Sequence, residues 1–499
     1  MKKTISIILV VILLISASIH LFLSDALYTA TGFSAKNICS GHFISGFSGE
    51  LVVNEGLLPV HDTFSYVNYD IDDEQQEVIT NAFGLYSRKA VYTEGIGCTL
   101  LAIAQDESTH KITKLAATVA NDSSSNDFAS IKPNFERPHV NYKRLEEAIS
   151  AAFQEPDDLP NRRTKAIVVF QQGELISEKY ADGIDSNTPL LSWSMAKSIT
   201  NMQVGLLVKD ERLQLNAPAP VPEWKDRSEL HQQITLDQLL RMSSGLEFNE
   251  FYGIGSDASL MLSVEPNASE FAADKPVVHQ PDTFWSYSSG TSNIIAGIVK
   301  QAIGGDLQNY YEYTQRKLFR PLGIYSAQLE ADAKGTFIGS SYMYATARDW
   351  AKLGQLFLQD GIWNGKRILP EGWVKYSITP TKTNPLNNFG AHWWLNRNPQ
   401  QLDADTFTAG IGDEKTKPRQ RRWPSVPEDA YYMSGFQGQF VVVIPSKQLV
   451  VVRLGYRTPG TDSGIEALLA RVVDTINLPN TQSAEKINQD VEELEVDKI

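Results

Sequence analysis

Two predicted hairpins, one near each end of the central part of the chain, constrain the fold most strongly. The first joins Ala166–Phe170 to Glu174–Tyr180 through a turn that contains Gly173. The second joins Phe440–Ile444 to Leu449–Leu454. Two strand-like segments joined by a short turn are typical of antiparallel strand pairs. Because helical patterns lie between the hairpins, we predict an α+β fold: one antiparallel sheet, closed by both ends of the domain, flanked by helices and joined to a helical subdomain.

The segments outside this pattern differ in composition, and they divide the chain of 499 residues into four parts. The polar stretch 121–127 is typical of a linker, and the sequence after Leu478 is polar and acidic. The predicted parts are a signal peptide or membrane anchor (1–31), a small accessory region (32–135), the main domain (136–478) and an acidic flexible tail (479–499). Helices are predicted over Arg144–Phe153, Ile294–Ile303 and Ile465–Ile476.

The N-terminal segment predicts export. Lys2 and Lys3 precede an almost wholly apolar run, Ile5–Leu23. Small residues at 16–18 would suit signal cleavage, but the apolar run continues to nearly membrane-spanning length. An uncleaved anchor is favoured, a cleaved signal stays open, and in both cases the lysines hold the start of the chain in the cytoplasm.

Charge and cysteine content narrow the function classes. A formal net charge of −14 and the lack of a basic stripe argue against nucleic-acid binding. The chain has two cysteines, Cys39 and Cys98. In an oxidising compartment we expect a disulfide between them, with two unpaired buried thiols as the alternative. A metal-binding pair is disfavoured because no histidine cluster accompanies the cysteines.

A Ser-x-x-Lys motif offers a nucleophile that needs no histidine. Three such pairs occur: Ser108 with Lys111, Ser194 with Lys197, and Ser483 with Lys486. Only the second opens an apolar helical pattern, which places Lys197 one turn after Ser194 on the same face. Ser192 could cap that helix. A lysine beside an apolar face loses solvation and basicity, which suits it to act as a base.

Two further segments stand in an order that, with the Ser-x-x-Lys motif, carries a family resemblance. Residues 284–293 present Tyr287 among serines before an apolar helix, and residues 433–439 begin the last hairpin. With the stretches 239–246, 344–351 and 361–366, the chain resembles the serine beta-lactamase and penicillin-binding-protein superfamily over residues 140–476. It is most similar to the class C-like branch of esterases, D-aminopeptidases and 6-aminohexanoate-dimer hydrolases.

The resemblance implies a role for each matching residue. Ser194 would be the acylated nucleophile, Lys197 its proton partner, and Tyr287 the shuttle to the leaving group and to water. The backbone N–H groups of Ser194 and Phe436 would form the oxyanion hole. The predicted substrate-binding residues are Ser289, Ser434 and Gly435. No metal or organic cofactor is implied.

Two departures bear on the substrate. Ser289 stands where the second motif commonly has asparagine, and Met433 stands where the third commonly has lysine or histidine. The missing cation argues against efficient recognition of a substrate carboxylate. We therefore predict an ester or amide hydrolase that acts on small molecules at the periplasmic face of the bacterial inner membrane, or in the periplasm if the leader is cleaved. A D,D-peptidase or beta-lactamase, and a non-catalytic binding module, are the alternatives. The oligomeric state stays open.

Overall fold

The structure is a computed structural model that describes residues 24–103, 137–156, 161–253, 255–399 and 420–477. The predicted linker, the predicted tail and the Ser-x-x-Lys pairs at 108 and 483 lie outside the described residues. Within these ranges, no helix has the length and apolarity needed to cross a membrane. Residues 1–23 of the predicted leader are not described, whereas residues 24–31 belong to a helix that continues into the accessory region.

The accessory region combines this helix with a small antiparallel sheet. Helix α1 covers 24–43, and the short helix α2, Gly49–Leu51, leads into a π-helical turn, Val52–Leu57. Four strands follow in the sheet order β1-β2-β3-β4. Their bounds are β1 Val67–Asp72, β2 Glu77–Ala82, β3 Leu85–Thr93 and β4 Gly97–Leu100. The predicted disulfide is confirmed: Cys39 of α1 is bonded to Cys98 of β4, with Cα atoms 6.1 Å apart.

A buried ion pair fixes α1 to the main domain. Lys36 Nζ lies 2.9 Å from Glu330 Oε2, and the side-chain exposures are 3% and 0%. Glu330 also accepts hydrogen bonds from Ser40 Oγ at 2.8 Å and from Cys98 N at 2.5 Å. Burial raises the pKa of Glu330 and lowers the pKa of Lys36, and the two charges oppose both shifts. Each ion therefore depends on the other for its charge.

Removal of one ion should destabilise the protein strongly. We expect Lys36→Met to lower the free energy of unfolding by about 3–5 kcal/mol, because Glu330 then stays buried without its counter-charge. Urea unfolding followed by tryptophan fluorescence measures the loss. The double variant Lys36→Met/Glu330→Gln is the control and should recover part of it. A single variant as stable as the wild type would contradict the assigned role.

The main domain contains the predicted sheet closed by both ends of the domain. Its six antiparallel strands are β5 Thr164–Gln171, β6 Glu174–Tyr180, β12 Trp394–Leu395, β13 Tyr431–Gly435, β14 Gln439–Ile444 and β15 Leu449–Gly455. They have the order β12-β13-β14-β15-β5-β6, so β15 pairs with β5. Both faces of the sheet are covered, and every residue of β5, β14 and β15 is buried. Both predicted hairpins, β5–β6 and β14–β15, are present.

Helices cover the two faces of the sheet. On one face, α3 (Tyr142–Ala152) and α13 (Ile465–Asp474) enclose a core with Ile167, Val169 and Val451. On the other face, α11 (Ala347–Leu358) packs against the sheet in a second core, which continues through the helical subdomain into the accessory region. The other helices are α4 Ala196–Lys209, α5 Glu229–Gln233, α6 Leu236–Leu240, α7 Asp257–Ser263, α8 Ala268–Ala273, α9 Ser289–Ile303, α10 Leu307–Thr314 and α12 Trp373–Ser377. The short strands are β7 Leu190–Leu191, β8 Gln328–Leu329, β9 Met343–Ala345, β10 Ile362–Trp363 and β11 Lys366–Arg367. The α+β fold class is confirmed.

Candidate active site

The sequence before α4 places Ser194 in a tight turn. Residues Trp193–Met195 form a 3-10 turn, and the α-helix begins at Ala196. The prediction that Ser192 caps the helix is wrong, because the 3-10 turn separates this serine from the start of the α-helix. Its hydroxyl instead donates to the Trp193 carbonyl oxygen at 2.9 Å and accepts from Met343 N at 3.3 Å. These contacts fix the segment that leads to Ser194.

Lys197 lies within hydrogen-bonding distance of Ser194, as the motif predicts. Its Nζ is 3.2 Å from Ser194 Oγ, 2.9 Å from Ser289 Oγ and 3.3 Å from the Ser340 carbonyl oxygen. An ammonium group has three protons to donate, and these three oxygens can accept them. The neutral amine can instead accept the proton of Ser194. Ser289, from the second motif, thus contacts Lys197 through its hydroxyl group.

Burial makes the ammonium group of Lys197 a stronger acid than that of an ordinary lysine. The side chain is 2% exposed. Desolvation lowers the pKa of Lys197 to about 8, and the negative charge of Glu250 opposes this shift. About a tenth of the amine is therefore neutral at pH 7. A neutral amine at this position can act as a general base near physiological pH.

Glu250 is a site residue that the sequence did not reveal. Its carboxylate accepts two hydrogen bonds from Ser289, one from the backbone N and one from Oγ, both at 2.6 Å. Burial raises the pKa of Glu250, and the charge of Lys197 opposes the rise. A polar chain thus runs from Lys197 through Ser289 to Glu250. No local spacing relates Glu250 to the three motifs, so only the fold brings it there.

Glu250 should set the pH range of the site. In Glu250→Gln the charge that holds the pKa of Lys197 up is lost, so the acid limb of the kcat/KM profile should move to lower pH. We also expect kcat to fall about tenfold, because the amide cannot accept both bonds from Ser289. Initial-rate assays between pH 5 and 10 measure kcat and the pH profile of kcat/KM. Exposed Glu247, three residues earlier, supplies the control variant Glu247→Gln; equal profiles for the two variants would contradict the prediction.

Tyr287 lies over Lys197 and beside Ser194. The Lys197 Nζ is 4.7 Å from the centre of the tyrosine ring, which packs against Phe389 and Trp394 at 5.8 and 5.3 Å between ring centres. Burial raises the pKa of Tyr287 well above its usual value, Glu250 adds to the rise, and a hydrogen bond with Ser194 opposes it. The phenol is therefore protonated near neutral pH. Of the two groups, Lys197 is the better candidate base and Tyr287 the better candidate acid.

The second motif begins its helix earlier than predicted. Helix α9 begins at Ser289, five residues before Ile294, and Ser288 caps it by accepting from Thr291 N at 3.0 Å. The first turns of α9 carry polar side chains that are buried. Asn293, for example, donates a hydrogen bond from Nδ2 to Ser340 Oγ at 3.0 Å. A search for apolar periodicity therefore misses these turns. Ser289 thus lies at the N-terminus of a helix, where it meets Lys197.

The third motif places β13 against the turn that carries Ser194. A Cβ atom on Gly435 would lie 2.1 Å from the Ser192 carbonyl oxygen, so glycine is required for the approach of two protein backbones. The substrate contact predicted for Gly435 stays a prediction. Phe436 follows Gly435 directly, and its ring centre lies 5.6 Å from that of Trp193. The residues predicted for the oxyanion hole are therefore on adjoining segments, and their role stays a prediction.

The other third-motif residues differ in burial. Ser434 is half-buried on β13, and its predicted substrate contact stays a prediction. Met433 is 1% exposed and belongs to the main core. The side chain that stands at the position of the usual lysine thus packs inside the domain and presents no charge.

Two histidines of the main domain differ in burial, since His392 is buried and His279 is exposed. The Nε2 of His392 lies 2.8 Å from Ser292 Oγ. Burial, with the charge of Lys197, lowers the pKa of His392 to about 3, so this ring is neutral. His279 stacks on Phe284 at 4.2 Å between ring centres. In the described part of the chain, no three His, Cys, Asp or Glu side chains converge as metal ligands would.

Comparison with known proteins identifies the class. The model of the Beta-lactamase family matches residues 149–474, which is more than half of the chain. The chain therefore belongs to the beta-lactamase family, and the predicted superfamily is confirmed.

Individual relatives lie within the same superfamily. The chain is similar to the 6-aminohexanoate-dimer hydrolase of Paenarthrobacter ureafaciens, with 23% identity over 270 residues, 47% of this chain and 65% of that hydrolase. The match thus spans less than two thirds of the relative. A Bacillus anthracis structure named for the same hydrolase has a TM-score of 0.51 at 18% identity and covers 68% of this chain and 84% of its own. The hydrolase EstCE1, described with promiscuous acyltransferase activity, has a TM-score of 0.50 at 14% identity and covers 68% and 99%. These two likenesses show the fold.

Proposed function

We propose that the protein is a serine hydrolase that cleaves an ester or amide bond of a small molecule through an acyl-enzyme on Ser194. The observation that carries this proposal is the contact between Ser194 Oγ and the buried amine of Lys197, at 3.2 Å. A serine alone is a weak nucleophile, and an adjacent base with a lowered pKa activates it. Family membership and the hydrolase relatives support the same reaction class.

The reaction would proceed by two acyl transfers. Ser194 Oγ attacks the substrate carbonyl carbon, and its proton passes to the neutral amine of Lys197. The tetrahedral intermediate collapses, the bond to the leaving group breaks, and Tyr287 supplies a proton that Lys197 restores. Water then attacks the ester on Ser194 and gives up a proton through the same two groups. The acid product leaves, and Ser194 Oγ regains its proton.

The third motif favours substrates with a neutral acyl group over substrates whose carboxylate would have to bind beside that motif. Met433 is buried in the core, so the usual cation is missing from that strand position. We therefore place an esterase or small-amide hydrolase ahead of a D,D-peptidase or beta-lactamase. The disulfide between Cys39 and Cys98 supports an exported location, because such bonds persist in oxidising compartments.

Active-site labelling tests the proposal directly. The full chain is incubated with a serine-reactive fluorophosphonate, and the adduct is mapped by peptide mass spectrometry. We expect one adduct, on Ser194. A panel of p-nitrophenyl esters, D-amino amides and beta-lactams then compares kcat/KM values, with the short esters expected to be best. If Ser194 in the folded protein is not labelled, the proposal is wrong. If beta-lactams are turned over faster than the esters, the substrates are beta-lactams rather than small esters.

A further inference from the structure

Two residues with unusual backbone conformations flank the predicted oxyanion donors. Trp193 directly precedes Ser194 and has φ +47°, and Gln437 directly follows Phe436 and has φ +57°. Residues with side chains rarely adopt this left-handed region, and they persist there when the surrounding structure holds them. Both residues are 1% exposed. The contacts that keep these two residues in this conformation therefore also fix the neighbouring backbone N–H groups of Ser194 and Phe436.

A hydrogen-bonded chain joins the two residues to the accessory region. The Trp193 indole N–H donates to Gln437 Oε1 at 3.1 Å. The Gln437 amide Nε2 in turn donates to the Gly56 carbonyl oxygen at 3.0 Å. Gly56 lies in the π-helical turn that follows α2. Both functional groups of the buried Gln437 side chain are thus used, one toward the turn of Ser194 and one toward the accessory region.

A second contact reaches the same tryptophan from α1. The ring of Phe33 stacks on the ring of Trp193, with 5.7 Å between centres and 13° between planes. Trp193 also contacts Phe436, whose ring meets it edge-on with 5.6 Å between ring centres. Phe33 is 6% exposed, and its helix is held by the disulfide and by the Lys36–Glu330 ion pair. Phe33 and Gly56 both precede the family match at 149–474.

We propose that the accessory region is part of the catalytic unit: Phe33 and the Gly56 carbonyl position Trp193 and Gln437, and thereby the N–H groups of Ser194 and Phe436. This inference rests on the proposed function, because it gives those N–H groups the role of oxyanion donors. Phe33 and Gln437 are positioning residues that act through the backbone of their neighbours. Donors fixed before the reaction stabilise the oxyanion without reorganisation, so a small displacement should lower kcat more than it changes KM.

Paired substitutions in the full chain test the positioning role. Phe33→Leu removes the stacked ring, and Gln437→Met removes both hydrogen bonds at similar side-chain length. Phe43→Leu is the matched control, because Phe43 lies at the end of the same helix and stacks on Tyr92 instead. We expect Phe33→Leu and Gln437→Met to lower kcat for a p-nitrophenyl ester at least tenfold with KM within about threefold. Phe43→Leu should retain the wild-type kcat.

Hydrogen exchange separates this inference from the proposed reaction. Mass spectrometry of the peptide that contains Phe436 should show faster amide exchange in Phe33→Leu than in the wild type and in Phe43→Leu. This readout needs no activity, so it judges the positioning role even if Ser194 forms no acyl-enzyme. Unchanged exchange together with a wild-type kcat would overturn the inference. Equal losses of kcat in Phe33→Leu and Phe43→Leu would also overturn it, since they would indicate general loosening of α1.

Discussion

Ser194→Ala is expected to lower kcat/KM for the best ester substrate by about four orders of magnitude. The variant removes the only atom in the proposed mechanism that forms a covalent bond with the acyl group, so no acyl-enzyme can accumulate. What remains is catalysis by the oxyanion site and by binding, which is small in serine hydrolases that have lost their nucleophile. The fluorophosphonate adduct should vanish in parallel.

The matched control for this loss lies on the same helix. Ser198 is buried one turn later, and its hydroxyl donates to the His392 carbonyl oxygen at 2.8 Å, away from the proposed chemistry. We expect Ser198→Ala to retain activity within about threefold while it loses one buried hydrogen bond. Burst kinetics would give the number of acylated sites in each protein. A Ser194→Ala protein with a normal burst would identify a different nucleophile.

The sequence predicted those features that short-range patterns encode. Strands β5, β14 and β15 are largely apolar runs bounded by turns, and β6 follows β5 after a short turn that contains Gly173, so their positions follow from neighbouring residues alone. The contact between Ser194 and Lys197 follows from helical spacing. The disulfide followed from composition and compartment. Each of these inferences needed information from only a few residues or from the whole composition.

The remaining features arise from contacts between residues distant in sequence. Glu250 reaches Ser289 across 39 positions. Gln437 reaches Gly56 across 381 positions, and no local pattern marks either contact. The early start of α9 was missed because its first turns bury polar side chains, which an apolar pattern cannot detect. Buried polar groups need partners, but the sequence does not name those partners.

Lys197→Met should separate catalysis from stability, because the same burial that lowers the pKa of the lysine also opposes folding. We expect kcat/KM to fall by about three orders of magnitude, since no group then takes the proton of Ser194. In the wild type, kcat/KM should rise with pH through about 8, the pKa of Lys197. This limb should be missing from the residual activity of the variant.

The effect of Lys197 on stability has the opposite sign. Its pKa is about 8 in the folded protein against 10.5 for an ordinary lysine, so the folded state disfavours the charge. The resulting cost is fully present below pH 8, shrinks as the pH rises from 8 to 10.5, and is on the order of 3 kcal/mol. Lys197 reaches Glu250 only through the Ser289 hydroxyl, whereas Lys36 is paired directly with Glu330, so Lys197→Met breaks no direct ion pair. At pH 7, Lys197→Met should therefore unfold at higher urea concentration than the wild type, and the difference should vanish above pH 10.

Two further lysine variants complete the test. Lys197→Arg keeps a cation that cannot lose its proton, so it should be as inactive as Lys197→Met without the gain in stability. Lys209→Met removes an exposed lysine at the end of the same helix, whose Nζ donates to the carbonyl oxygens of Arg367 and Ile368 away from Ser194, and it should leave kcat/KM unchanged. Loss of activity in a protein that is more stable than the wild type would exclude unfolding as the cause. An active Lys197→Arg would show instead that Lys197 contributes its charge and that the base is another group.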